Sequence, residues 1–385
     1  MIESKNNKFS MIAKTFAGLE DVLADELKKL GAEKIEILKR AVKFSGDKKL
    51  MYEANYWCRT ALRILKPLDV FEVNNEKDLY NNIKKIKWWR YFDVEKTFVV
   101  KANISNTVFN NSNFVALKTK DAVVDLFREK LDKRPSISRE NPDIVINVHI
   151  YKNDCTVSLD SSGRSLDKRG YKLFNGEAPV NEVLAAGMVL LSKWDKTTDF
   201  LDPMCGSGTI LIEAALFAYN IPPGNYRQNF AFMNWKDFDP ILWEKIIKES
   251  YLKFFDFEHK IIGGDISQKM CVIAYKNIKN AKLHKDIEIY KKAFEETFAY
   301  NDKVTIITNP PYGERLKTEN IIELYKQIGD TLKKKYIGNA WIISSDMNAL
   351  KHVGLKPAKK IPLYNGQLEC RFVKFEVYKG SRKTK

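Results

Sequence analysis

The sequence predicts an α/β protein: a doubly wound, mostly parallel sheet in the second half, preceded by a smaller α+β region. Three observations carry this. Beyond Tyr171, strand-like apolar runs alternate with helical stretches of about ten residues or more, the pattern of crossover connections. The segment TDFLDPMCGSGTILIEAALFAY, residues 198–219, reads as a strand end, a glycine turn and a helix. Earlier, Ile144, Ile146, Val148 and Ile150 alternate with Val145, Asn147, His149 and Tyr151. A turn at Lys152–Asp154 then leads into Cys155–Leu159, an antiparallel hairpin signal.

In order along the chain, Lys8–Phe16 predicts a strand, and Leu19, Val22, Leu23, Leu27 and Leu30 recur at helical spacing before Gly31. Short β-like runs follow at Lys34–Leu38 and Val42–Phe44, giving a small α+β unit over residues 1–60. The aromatic, basic stretch KKIKWWRYF precedes a strand at Thr97–Ile104. A helix then places Ala116, Val123, Val124, Phe127 and Leu131 on one face, and Pro135 closes it. The polar run SSGRSLDKRGY, Ser161–Tyr171, is the best linker, so a second region spans 61–163 and a third 164–385. Residues KGSRKTK at the end read as a frayed basic tail.

With 385 residues, 44% apolar and 30% charged, the chain has the length for two or three domains. Its longest apolar stretch, around Val183–Leu191, falls far short of the roughly 20 residues that cross a bilayer. No leader pattern opens the sequence, so a cytoplasmic protein without a membrane partner is expected. Cys58, Cys155, Cys205, Cys271 and Cys370 are scattered, with no CxxC or Cys/His cluster, which points away from disulfides and structural zinc. The net charge is +16, with 32 basic and 24 acidic side chains in residues 1–170 and 33 and 25 in the rest. A field of that sign favours polyanions such as nucleic acid, although the same excess also serves solubility.

Chemistry enters at the glycine turn. Gly206, Ser207 and Gly208 reverse the chain sharply and let a ligand lie against bare backbone at the start of a helix with Ile210, Ala214 and Phe217 toward the sheet. A third glycine of G-x-G-x-x-G is missing, because Ile210 and Leu211 follow, so a dinucleotide pyrophosphate is disfavoured. KIIGGDIS supplies Asp265 at the next strand end, where a carboxylate hydrogen-bonds ribose hydroxyls. Asp265 lies 63 positions after Asp202 rather than the roughly 20 of a compact unit, so an insertion intervenes. That insertion, at about 222–255, is rich in aromatics, and the sequence favours a packed subdomain over a base-stacking surface.

VTIITNPPYGERL, Val304–Leu316, puts a β-branched strand directly before Asn309, Pro310, Pro311 and Tyr312. An amino group conjugated to a purine is a poor nucleophile, because its lone pair is delocalised into the ring. The Asn309 carboxamide oxygen and the Pro310 carbonyl are acceptors that orient such an amine and stabilise the charge that develops on it. The prolines fix the loop, and Tyr312 offers a face to an extruded base. The chemistry requires no metal, and His149, His259, His284 and His352 are isolated, without ligand spacing.

Together DPMCGSGT, GGDIS and TNPPYG resemble the class I S-adenosylmethionine methyltransferases that modify exocyclic amino groups. RGYKLFNGEAPVNEVLAAGMVLL, the insertion with NFAFMNW and the order of the N-terminal elements are similar to the THUMP-domain RNA methyltransferases, of the RlmL-type (YpsC-like) guanine 2-amino group acting on large-subunit ribosomal RNA. The resemblance covers nearly the whole chain and is weakest at motif level in the N-terminal half. It implies a Rossmann-like sheet with its last strand antiparallel, after a ferredoxin-like region (1–60) and a THUMP RNA-binding domain (61–163). It implies S-adenosylmethionine as donor, S-adenosylhomocysteine as product and no metal. Asp202, Gly206, Gly208 and Thr209 would frame the cofactor's methionine part and Asp265 its ribose, with Met204, Cys205, Ser207 and Ile266 also binding the cofactor and Asn309 reaching it as well. Phe294 would lie near the adenine and Asn309–Tyr312 at the target base. Where the family often carries an acid near the adenine, KKAFEETF has Ala293 and Phe294, with backbone at Phe294 or Glu295 as the substitute. Some members carry a second methyltransferase domain; residues up to Lys385 imply one reaction.

The implied substrate is structured RNA, either large-subunit rRNA or an assembly intermediate, and the sequence does not disclose the oligomeric state. Competing readings are methylation of another RNA such as tRNA, of adenine in DNA, or of protein glutamine, and a non-catalytic RNA-binding assembly protein.

Overall fold

A computed structural model describes residues 8–174, 180–312 and 318–378, the side chains of Thr318 and Glu319 aside. The basic tail and the parts of the two family-like segments at 175–179 and 313–316 lie outside the described residues. Through residue 160 the elements are β1 (Phe9–Lys14), α1 (Glu20–Lys29), β2 (Glu33–Leu38), β3 (Ala41–Gly46), α2 (Lys48–Trp57), β4 (Arg63–Glu72), α3 (Glu76–Lys85), β5 (Phe98–Ser105), α4 (Ser112–Leu131), β6 (Ile144–Tyr151) and β7 (Asp154–Asp160). There follow α5 (Glu182–Ser192), β8 (Asp199–Asp202), α6 (Thr209–Ala218), α7 (Pro240–Tyr251), β9 (Ile261–Asp265), α8 (Gln268–Asn280) and β10 (Ile287–Lys291). Last come β11 (Lys303–Thr308), α9 (Thr318–Lys335), β12 (Ile337–Ser344), α10 (Met347–His352), β13 (Pro357–Asn365) and β14 (Leu368–Val377). No helix among the described residues is long and apolar enough to cross a membrane.

The described residues form two compact units. One comprises 8–15, 23–166 and 227–248; the other comprises 16–22, 167–226 and 249–378. In the first, seven strands are ordered β2-β3-β1-β4-β7-β6-β5, with β5 and β6 the parallel pair and the expected hairpin at β6–β7. Pro67, which cannot donate to a ladder, sits where the β4–β7 register shifts. The α4 start is fixed by the Asn111 side chain, which accepts the Asn113 and Phe114 N–H groups. The aromatic insertion is split: residues 227–248 pack into this first unit. Phe230, Phe232 and Trp235 are buried, Phe232 stacks on Tyr52 with centroids 4.2 Å apart, and the Tyr52 hydroxyl accepts the Asp239 N–H at 3.0 Å. These rings are core, spent on packing.

The second unit holds the expected doubly wound sheet, ordered β10-β9-β8-β11-β12-β14-β13. β8 to β12 run parallel to their neighbours, while β14 is antiparallel to both β12 and β13. From β8 the chain winds outward to β9 and β10, then returns to β11 on the other side. That reversal between β8 and β11 leaves a crevice at their carboxyl ends, the place where open α/β sheets bind ligands. Val304 pairs with Asp199 and Ile306 with Leu201, which brings Asp202 and Asn309 to the same edge.

Candidate active site

Four strand ends build the site. After β8, Asp202 is 1% exposed; its Oδ1 accepts the Met204 N–H at 3.2 Å, while its Oδ2 is buried without a hydrogen-bond partner among the described residues. Burial pushes this carboxyl up to about 7, against the pull of the Met204 amide and of a Thr308 hydroxyl that lies near but outside bonding geometry; the Asp265 carboxylate adds to the rise. Gly206 (φ +53°) and Gly208 (φ +81°) occupy the left-handed region that glycine tolerates. Gly208 also has Ala274 of α8 at 3.3 Å from where a Cβ would stand. The Cys205 N–H donates to Gly264 O and the Gly208 N–H to Cys205 O, both at 2.8 Å.

After β9, Asp265 accepts the Gly206 N–H on Oδ2 at 3.0 Å and the Ser267 N–H on Oδ1 at 2.8 Å, which ties the two strand-end loops together. Each carboxylate oxygen keeps a further lone pair for a ligand hydroxyl. Burial, with the Asp202 and Asp265 carboxylates, pushes the Cys205 thiol well up. After β10, Phe294 is buried in a short turn where the Ala293 N–H donates to Glu296. After β11, Asn309 Oδ1 is buried with no partner among the described residues, as is Thr308 Oγ1.

A crevice of about 770 Å³ opens across these ends, within the size range of cofactor sites. Of the residues singled out in the sequence, Asp202, Met204, Cys205, Gly206, Ser207, Thr209, Asp265, Ile266, Phe294, Asn309 and Pro311 line it. Gly208, Pro310 and Tyr312 do not. Gly208 is the buried back of the turn and Pro310 is buried. Tyr312 is 2% exposed, and its hydroxyl accepts the Asn365 Nδ2–H at 2.9 Å, so its ring is not presented as the expected open face. Sequence reasoning missed Val180, Lys269, Met270, Ile273, Leu324 and Gln327, which also line the crevice. A buried, partnerless oxygen at each of two strand ends, beside glycine backbone and the Asp265 carboxylate, fits a ligand rich in N–H and O–H donors. Among the described residues no cluster of His, Cys, Asp or Glu is placed to hold a metal ion.

Residues 169–374 match the RMKL-like methyltransferase domain family, more than half of the chain. The chain belongs to this methyltransferase family. Residues 73–160 match the THUMP domain and residues 10–65 the RlmL ferredoxin-like domain, so it is a THUMP-containing RNA methyltransferase with the Rossmann-like sheet expected. Its methyl donor is S-adenosylmethionine. Among its relatives, slr0064 of Synechocystis sp. PCC 6803, to which an RNA methyltransferase role is assigned, is 38% identical over 364 residues, 94% of this chain and 95% of that one. SMU.472, assigned as a methyltransferase and solved with S-adenosylhomocysteine, is 30% identical with a TM-score of 0.88, over 97% of this chain and 99% of that one. A Listeria monocytogenes protein described as a predicted N6-adenine-specific DNA methylase is 29% identical with a TM-score of 0.87, over 97% of both chains.

Proposed function

We propose that the chain methylates the exocyclic 2-amino group of a guanosine in large-subunit (23S) rRNA, in the cytoplasm. S-adenosylmethionine supplies a methyl carbon made electrophilic by its sulfonium. Asp202, Met204, Cys205, Gly206, Ser207 and Thr209 hold its methionine part, with Gly208 shaping the turn, and the Asp202 carboxylate faces the ammonium. Asp265 accepts ribose hydroxyls with its remaining lone pairs, Ile266 lies against the ribose and Phe294 against the adenine. Asn309 Oδ1 accepts an N–H of the target amine and turns its lone pair toward the methyl carbon, the Pro310 carbonyl is the second acceptor, and Pro311 and Tyr312 stiffen that loop.

The observation that carries this reading is Asn309 Oδ1: a buried acceptor with no partner, at the crevice that Asp202 and Asp265 share. Such an atom costs free energy until an N–H meets it. The THUMP domain and the role assigned to slr0064 favour RNA, and the RlmL-type resemblance favours the guanine 2-amino group. Adenine is the second reading, since the same tetrad serves it and the Listeria protein is described as an adenine methylase. Mass mapping of methylated nucleosides from cells with and without the chain tests both. Loss of N2-methylguanosine at one 23S rRNA site is expected; unchanged rRNA with loss of a methyladenine or of a tRNA mark overturns the assignment.

A further inference from the structure

Behind the glycine turn stands a buried amide that does not line the crevice. Asn277, on α8, is fully buried, and its carboxamide has four hydrogen bonds, all to backbone. Its Oδ1 accepts the N–H groups of Leu173 at 2.9 Å and Phe174 at 3.1 Å. Its Nδ2 donates to the Phe174 carbonyl and to the Ser207 carbonyl, both at 3.0 Å. An amide with two lone pairs and two N–H groups has no capacity beyond this.

The fourth bond matters most. Ser207 lies between Gly206 and Gly208, and the peptide unit joining it to Gly208 is held at both ends: its N–H by Cys205 O, its C=O by Asn277. With its N–H and its C=O both bonded to protein, this peptide keeps a fixed orientation in the turn. Ala274, one helical turn before Asn277, touches the Cβ position of Gly208. α8 is therefore the back wall against which the turn is shaped. Asn280, three residues on, donates to the Tyr171 and Gly170 carbonyls and fastens the same strand of chain further from the turn.

We infer that Asn277 is a positioning residue for the methyl donor: it locks the Ser207–Gly208 peptide and ties it to residues 173–174, so that the turn meets the cofactor already in its bound shape. This rests on the crevice holding the cofactor, not on which base is methylated. An oriented turn binds tightly because little ordering is left for the moment of binding.

The test measures S-adenosylhomocysteine affinity by calorimetry on the full chain, with folding checked by thermal melting. Asn277→Leu, which strands the Ser207 carbonyl, weakens binding by about tenfold or more. Asn277→Asp keeps acceptors for Leu173 and Phe174 but sets an oxygen against the Ser207 and Phe174 carbonyls. Its affinity relative to wild type is therefore low at pH 8 and recovers as acid protonates the introduced carboxyl into a donor. Dividing by wild type at each pH removes the titration of Asp202. Amide exchange at Leu173 and Phe174 stays slow in this variant, while Asn280→Ala, which spares the turn, stays within about twofold of wild type. If Asn277→Leu does not fold, the pH ratio of Asn277→Asp decides. A ratio flat with pH, or variants within twofold of a wild type that binds, overturns the inference alone; a wild type that binds no S-adenosylhomocysteine overturns the cofactor reading of the crevice with it.

Discussion

The glycine turn after β8 and the Asn-Pro-Pro-Tyr loop after β11 leave neighbouring strands of one sheet, yet the turn spends its backbone donors on the protein while the loop keeps its leading acceptor unspent. In the turn, the N–H groups of Met204, Cys205, Gly206 and Gly208 already end on Asp202, Gly264, Asp265 and Cys205. At the head of the loop, Asn309 Oδ1 is buried and unmatched. A buried orphan acceptor costs about 1–3 kcal/mol, and at Asn309, which lines the crevice, a ligand donor would restore the balance. The backbone donors of the turn are thus satisfied before a ligand arrives, while a side-chain acceptor at each strand end, Asp202 Oδ2 and Asn309 Oδ1, is left for a ligand to complete.

If that contrast holds, mutations on the two sides separate binding from turnover. Asn309→Ala has the largest effect: kcat falls by about 10³-fold, as when one preorganised group that stabilises transition-state charge is removed, while S-adenosylhomocysteine binding stays within about twofold. Single-turnover rates and calorimetry check this, and a parallel loss of binding would break the contrast. Asp265→Ala acts on the other side. Gly206 and Ser267 lose their acceptor, cofactor affinity drops by about 10²-fold (roughly 2.7 kcal/mol), and kcat at saturating cofactor changes only a few-fold.

A pH series sharpens the same division. With its carboxyl raised to about 7 by burial, Asp202 is largely protonated in mildly acidic solution. If it faces the cofactor's ammonium, binding favours the carboxylate and releases a proton, so affinity rises about tenfold from pH 6 to pH 8 and then levels off. Stability runs the other way. A carboxyl near 4 when unfolded and near 7 when folded stabilises the fold while protonated; that contribution is complete below about pH 4 and is lost as pH climbs through 7. In Asp202→Asn the melting-temperature difference from wild type therefore shifts in the variant's favour between pH 5 and pH 8. Equal differences at both pH values would mean that Asp202 is not the buried titrating group.

What the sequence disclosed follows the same line between local and distant causes. Strand periodicity, the turn glycines and the strand-end position of Asp265 and Asn309 are short-range properties, and all were legible. The packing of the aromatic insertion was also expected, but the ring that Phe232 stacks on was not, because Tyr52 lies 180 residues earlier and no local pattern names it. Lys269, Met270 and Ile273 escaped for another reason. Periodicity marks the face of α8 that enters the core through Cys271, Ala274 and Ile278, but not which flank of that face looks into the crevice. The orientation of Tyr312 depends on Asn365, at the far end of β13 and 53 residues away.

That last pair gives the smallest effect and the finest test of the loop. The Asn365 Nδ2–H to Tyr312 Oη hydrogen bond, 2.9 Å long, joins the tetrad to the β13–β14 hairpin. A single neutral bond of this kind contributes about 1 kcal/mol, so Tyr312→Phe and Asn365→Ala each lower kcat by about fivefold and leave cofactor affinity unchanged. Because both remove the same interaction, the double variant is no slower than either single one. Multiplied losses, about 25-fold together, would mean that the hairpin and the ring act on turnover separately. Tyr312 would then have to leave its buried position to serve the base, since Tyr312→Phe keeps the ring and discards only the hydroxyl that Asn365 holds.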